Sequence, residues 1–166
     1  MSNEPKRYNV LFLCTGNSAR SIMAEALLNQ RGRGTFVAFS AGSHPSGKVR
    51  PEALEQLRAC NIPADDLRSK SWDEYAAPGA PKMDFIFTVC DNAANEVCPF
   101  WPGHPMTAHW GVPDPAAAQG TTHQIARAYR DAFSLLDHRI RLFISLPFAT
   151  LDRMATKQEI ERIGEA

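Results

Sequence analysis

Residues 10–28 read VLFLCTGNSARSIMAEALL: four apolar residues, a cysteine, a short polar loop, and then a run with helical spacing. The continuous run from Val10 to Leu13 suits a parallel strand buried on both faces better than a half-exposed one. Comparable runs recur at TFVAFS (35–40), MDFIFTVC (83–90) and, more weakly, MTAHWGV (106–112). Helical patterns separate them. SIMAEALLNQRGRG ends in glycines suited to a C-cap. PEALEQLRACN opens with a proline allowed in a first turn and sets Leu54, Leu57 and Cys60 on a common side. In SWDE, Ser71 and Glu74 are spaced as a capping box. TTHQ (121–124) forms another, before a pattern through Ile125, Tyr129, Ala132 and Leu136 that can run to Pro147. Strands alternating with helices imply an α/β fold with a parallel sheet and helices on both faces. AAPGAP (76–81) reads as a connector, and TKQEIERIGEA (156–166) as a short amphipathic helix of unassigned packing.

The 166 residues suffice for one domain with its own core, expected over about 8–148 with a C-terminal tail at 149–166. Lysine plus arginine equal aspartate plus glutamate at 18 each, so no basic footprint points to a nucleic acid. MSNEPKRY carries no long apolar region, and no later stretch approaches the 18 apolar residues of a membrane span, so a cytoplasmic protein is expected. Four cysteines are too few for a disulfide scaffold at this length; buried, metal-bound or catalytic roles remain.

In an open parallel sheet, ligands bind beyond the carboxyl ends of the strands, near the point where strand order reverses. Cys14 stands at such an end. A loop running into a helix turns successive N–H groups inward, and the helix N-terminus adds partial positive charge. Thr15, Gly16, Asn17, Ser18, Ala19 and Arg20 can therefore cradle a tetrahedral oxyanion. Arg20 offers a planar fork for two of its oxygens. The same field is expected to lower the pKa of Cys14 and make it the nucleophile. Ser21 can donate a hydrogen bond to the thiolate, and Asn17 can fix the loop from within. A cysteine and an arginine six positions apart arise easily by chance among 13 arginines; the strand before and the helix after supply the specificity.

CTGNSARS, followed by MAEAL, SAGS and an aspartate–proline pair, resembles the low-molecular-weight tyrosine phosphatase superfamily and, within it, the phosphatase-like arsenate reductases. The resemblance extends from Val10 to about Leu146. It implies a four-stranded parallel sheet, Cys14 as nucleophile, residues 15–20 as the oxyanion loop and Arg20 as the anion clamp. It also implies that Asp114, in GVPDPA, is the general acid that protonates the leaving oxygen. Some members bind potassium beside the loop through residues matching Asn17, Glu25 and Ser40. Asp66 is the nearest candidate for a further ligand here.

Phosphatase and reductase share the first attack by Cys14 and differ in the second step. Water resolves the adduct in a phosphatase, whereas a reductase needs a second thiol. Cys90 closes FIFTVC, a strand expected beside the first. Neighbouring strands lie roughly 4.8 Å apart and disulfides need Cα atoms roughly 4.4 to 6.8 Å apart, so Cys90 is well placed to resolve. Cys98 comes eight residues later in CDNAANEVCP. If residues 91–97 are helical, a Cys90–Cys98 disulfide requires that helix to unwind, and Asn92 and Asn95 weaken it. This matches the thioredoxin-coupled reductases, although their spacing is seven; glutaredoxin with a small thiol is the alternative reductant. NSARS is closer to the reductase loop than to the NICRS of phosphatases, and PAAA after Asp114 lacks the aromatic residue usual there in phosphatases. Trp72 and Tyr75 can line a phosphotyrosine pocket or pack in the core. The expectation is thus an arsenate reductase, with a tyrosine phosphatase and a non-enzymatic oxyanion-binding module as alternatives. A zinc site from Cys90, Cys98, His104 and His109 is disfavoured by the cysteine spacing. His44, His123 and His138 form no constellation, and Cys60 is expected to be packing.

Overall fold

The computed structural model describes residues 7–91, 101 and 103–166. Four strands, β1 (Tyr8–Leu13), β2 (Phe36–Ala41), β3 (Phe85–Thr88) and β4 (Met106–His109), form one sheet in the order β2-β1-β3-β4. Every neighbouring pair is parallel. The helices are α1 (Arg20–Arg31), α2 (Pro51–Ala59), α3 (Asp73–Ala76), α4 (Thr122–Ile144) and α5 (Arg153–Ile163). This is the α/β architecture expected from the apolar runs, with corrections at the strand ends. β3 stops at Thr88, so Cys90 lies two residues beyond it rather than closing it. β4 ends at His109 rather than at residue 112.

Side chains alternate across a pleated strand, and in β1 they feed two cores. Val10 and Phe12 join the larger cluster with Met23 and Leu27 of α1, and with Leu136 and Phe143 of α4. Leu11 and Leu13 join a smaller cluster with Ile86 and Trp101, against which Phe39, Trp72 and Tyr75 pack. Both faces of β1 are covered, which explains why its sequence is an unbroken apolar run. Phe87 stacks on Trp110 at 3.8 Å between centroids, and the indole N–H of Trp110 donates to the Ile160 carbonyl of α5 at 2.9 Å. The tail helix therefore packs on the larger core, to which it adds Ile160 and Ile163.

Thr121 and Gln124 form the expected capping box, and α4 ends at Ile144, short of Pro147. Ser71 and Glu74 do not form theirs. The N-cap of α3 is Trp72, without a side-chain cap, and the Glu74 carboxylate instead receives both terminal nitrogens of Arg68 at 3.0 Å. Cys60 is exposed rather than packed: it caps the C-terminus of α2, where its sulfur accepts from the Gln56 amide at 3.5 Å. Leu57 and Ala53 carry the buried side of that helix.

With β1 between β2 and β3, the chain leaves β1 toward β2 and only later returns to the other side. The carboxyl ends of β1 and β3 thus flank the switch point of the sheet, where open α/β folds bind ligands. Among the described residues, no helix is long and apolar enough to cross a membrane.

Candidate active site

Leu13 pairs with Thr88 in the register of β1 and β3, so Cys14 emerges one residue beyond one strand and Cys90 two beyond the other. Both are buried, at 5% and 2% exposure. Their thiols are within hydrogen-bonding contact. The Thr15 N–H donates to the Cys90 sulfur at 3.3 Å, and the Gly16 N–H points at the Cys14 sulfur.

The loop between Cys14 and α1 is shaped by what its carbonyls bind. The Thr15 carbonyl accepts from the His44 N–H at 3.0 Å, that of Gly16 from the Ser46 N–H at 3.0 Å, and that of Ser18 from the Arg50 N–H at 2.8 Å. A second bond to the Gly16 carbonyl comes from the Ser69 hydroxyl at 3.2 Å. The surrounding segment thus engages the carbonyls of Thr15, Gly16 and Ser18 and fixes the course of the loop. Close approach of residues 42–46 requires Gly42, because a Cβ there would lie 2.6 Å from the Cys14 carbonyl oxygen and nearer still to that of Thr15.

Asn17 fixes the loop from within, as its place in the sequence suggests. It sits at φ 45°, a left-handed conformation that asparagine tolerates better than most residues. Its fully buried amide donates to the Ser21 hydroxyl at 2.8 Å and to the Ser40 hydroxyl at 3.0 Å, and accepts from the Lys70 N–H at 2.9 Å. Ser40 in turn donates to the Glu25 carboxylate at 2.5 Å, and the Lys70 ammonium lies 3.5 Å from the same oxygen. Asp66, the further ligand considered for potassium, is exposed on the surface. Lys70 carried no signal in LRSKSW, where it reads as a surface lysine.

Arg20 opens α1 and turns its guanidinium toward the loop after β4, donating to the Val112 carbonyl at 2.9 Å and lying 3.7 Å from the Asp114 carboxylate. Buried Arg139 of α4 donates to the neighbouring Gly111 carbonyl at 2.9 Å. Two guanidiniums thus hold the segment that carries Asp114. The aspartate precedes a short 3-10 turn (Pro115–Ala117), accepts from the Ala116 N–H at 2.9 Å and stays 45% exposed. Arg20, Cys90, Asp91, Val112 and Asp114 line a single cleft of about 460 Å³.

The pKa of Cys14 departs from the sequence expectation. The adjacent Cys90 thiol, which hydrogen-bonds it, and burial push the Cys14 thiol up, while the Arg20 charge and the Gly16 N–H pull it down. In the resting dithiol the upward influences dominate, because the expectation counted the loop's field and left out a buried second thiol.

His109 is more than a strand residue. One ring nitrogen meets the Thr88 hydroxyl at 2.7 Å and the other the Asp91 carboxylate at 2.8 Å, so it ties the residue after Cys90 to the ends of β3 and β4. Both nitrogens are engaged, and no cluster of three metal-ligating side chains occurs among the described residues. Cys98, Asn92 and Asn95 lie outside the described residues. Trp72 and Tyr75 contribute to the smaller core cluster.

The fold and the loop define a protein that presents a buried cysteine to an oxyanion at the switch point of a parallel sheet. The chain belongs to the low molecular weight phosphotyrosine protein phosphatase family, whose model matches residues 9–157. Its relatives include a protein of Oceanobacillus iheyensis named arsenate reductase, 34% identical over 134 residues that cover 81% of this chain and 93% of the relative. Among solved structures, an arsenate reductase from Archaeoglobus fulgidus is 27% identical with a TM-score of 0.64, covering 82% of this chain and 99% of the other. A low molecular weight protein tyrosine phosphatase from T. tengcongensis is 25% identical with a TM-score of 0.61, covering 78% and 95%.

Proposed function

We propose that this chain is an arsenate reductase that forms a cysteinyl adduct on Cys14 and resolves it with Cys90. The observation that carries the reading is the second buried thiol in contact with the first, at the head of the oxyanion loop. Hydrolysis of the adduct by water does not require it, whereas reduction does. The names of the relatives support the same reading.

Arsenate binds at the loop, whose N–H groups and Arg20 hold its oxygens, beside the cleft lined by Arg20, Cys90 and Asp114. The Cys14 thiolate attacks arsenic, an S–As bond forms, and one As–O bond breaks with its oxygen leaving as water on a proton from Asp114. Cys90, as thiolate, then attacks the Cys14 sulfur. The S–As bond breaks with its electron pair passing to arsenic, which leaves as arsenite. Two thiols become one Cys14–Cys90 disulfide, and arsenic gains two electrons. Ser21, whose hydroxyl oxygen accepts from Asn17, is proposed to turn its proton to the Cys14 thiolate when that forms.

An external thiol reductant closes the cycle, and no tightly bound cofactor is needed. In our reading Cys98 takes the oxidation from Cys90 and passes it to thioredoxin, with glutaredoxin and a small thiol as the other route. Such a relay works in a compartment that keeps thiols reduced, which assigns the protein to the cytoplasm.

The test is arsenite production from arsenate with NADPH, thioredoxin and its reductase, beside a glutaredoxin system, for wild type, Cys90→Ser and Cys98→Ser. Hydrolysis of para-nitrophenyl phosphate is measured in parallel. Turnover lost in both variants while ester hydrolysis survives supports the relay. No arsenite with either reductant, and ester hydrolysis indifferent to Cys90, leaves a phosphatase; oxyanion binding without either activity leaves a binding module.

A further inference from the structure

The potassium ion implied by the family resemblance does not fit the residues present. A hard cation needs oxygen lone pairs converging on it. Here the Asn17 amide oxygen accepts from the Lys70 N–H, and the Ser40 oxygen accepts from Asn17 while donating to Glu25. The Glu25 carboxylate already faces an ammonium 3.5 Å away. That ammonium belongs to Lys70, 7% exposed, and it also donates to the Arg68 carbonyl at 2.9 Å.

We propose that Lys70 is the built-in cation of this loop, its ammonium doing beside Glu25, Ser40 and Asn17 what a bound alkali ion would otherwise do. Lys70 is attached to the loop by more than its charge. Its N–H holds Asn17, its carbonyl accepts from the Gly42 N–H at 2.9 Å, and the preceding Ser69 bonds the Gly16 carbonyl. The ammonium is therefore carried into place by the same segment that shapes the oxyanion loop. Burial pushes the Glu25 carboxyl up and the Lys70 ammonium down, and the opposite charge of each partner counters the shift in the other. Losing the ammonium would leave the largely buried Glu25 carboxylate with only the weaker influence of the Arg68 charge, a destabilising condition, and a space beside it lined by Glu25 and the Arg68 carbonyl. Lys70 is in this sense a positioning residue, which acts on the anion site through Asn17.

The readout is thermal melting, so the proposal can fail independently of the arsenate reading. Wild type, Lys70→Ala and Lys70→Ala/Glu25→Gln are melted in potassium chloride and in choline chloride at equal ionic strength. Wild type is expected to melt at the same temperature in both salts. Lys70→Ala is expected to melt lower in choline and to regain part of the loss in potassium. The double variant, without the carboxylate that demands a cation, is expected to be indifferent again. Stabilisation of wild type by potassium over choline would overturn the proposal, as would a Lys70→Ala protein equally destabilised in both salts. If Lys70→Ala is unfolded in choline, refolding on addition of potassium supports the proposal and continued unfolding overturns it.

Discussion

The backbone N–H of Thr15, the first residue of the oxyanion loop, donates to the sulfur of Cys90, 75 positions away, at 3.3 Å. A single peptide thus links the loop proposed to receive the anion to the thiol proposed to resolve the adduct. The link arises from sheet order. β1 and β3 are neighbours in register, and each delivers a cysteine just past its end.

Contact between the two thiols makes the ionisation of Cys14 depend on Cys90. The Cys90 thiol is the largest influence raising the Cys14 pKa, ahead of burial. Cys90→Ala should therefore move the pH dependence of Cys14 alkylation by iodoacetamide to lower pH. An unchanged or upward-shifted profile would contradict this. The sign for stability comes from proton linkage. The folded state keeps a proton on Cys14 at pH values where the unfolded thiol has lost it. This stabilisation is complete below the unfolded thiol pKa and declines as pH rises above it. Urea unfolding should show that alkaline decline in wild type and a weaker one in Cys90→Ala.

Asp114 lines the cleft from a segment held by Arg20 and Arg139, its carboxylate 3.7 Å from the Arg20 guanidinium. Asp114→Asn preserves the shape and the bond from the Ala116 N–H but removes the acid. Single-turnover formation of arsenite should slow by roughly 10²- to 10⁴-fold, while arsenate protection of Cys14 from alkylation is retained. A rate within a factor of two of wild type would remove Asp114 from the chemistry.

Asn17→Ala deletes three hydrogen bonds at a fully buried site and leaves the Lys70 N–H without its acceptor. It also places alanine at φ 45°. An unsatisfied buried group costs about 1–3 kcal/mol, and the left-handed backbone about 1 kcal/mol more. The expected loss in urea unfolding is about 2–4 kcal/mol, accompanied by weaker arsenate binding. Asn17→Gly, which relieves the backbone but not the lost bonds, should recover only a minor part. Equal stability of Asn17→Ala and wild type would show that the loop does not depend on this residue.

The sheet was legible because β1 and β3 are buried on both faces, which leaves unbroken apolar runs in the sequence. The nucleophile loop was legible because strand, cysteine, polar loop and helix succeed one another without interruption. Lys70, His109 and Arg139 were not, because each acts on residues far away in the chain: Asn17 and Glu25, Asp91 and Thr88, and Gly111. No local pattern marks a lysine that will be buried against a glutamate 45 positions earlier. The Ser71–Glu74 spacing illustrates the opposite failure. A local motif was present, but Arg68 offered the glutamate a bidentate partner, and the capping box did not form. The raised pKa of Cys14 has the same origin as the missed contacts, since Cys90 is remote in sequence and adjacent in space.

Whether Cys14 and Cys90 together supply the two electrons that reduce arsenate is tested most directly by a single turnover of the reduced protein. Excess arsenate is added without external reductant, the reaction is quenched with N-ethylmaleimide, arsenite is quantified and the digest is read by mass spectrometry. Wild type is expected to give one arsenite per chain and a Cys14–Cys90 linkage or, where the relay advances, a Cys90–Cys98 linkage. No arsenite is expected from Cys90→Ser. Arsenate recovered unchanged with every thiol alkylated, or arsenite formed equally well by Cys90→Ser, would contradict the two-thiol mechanism.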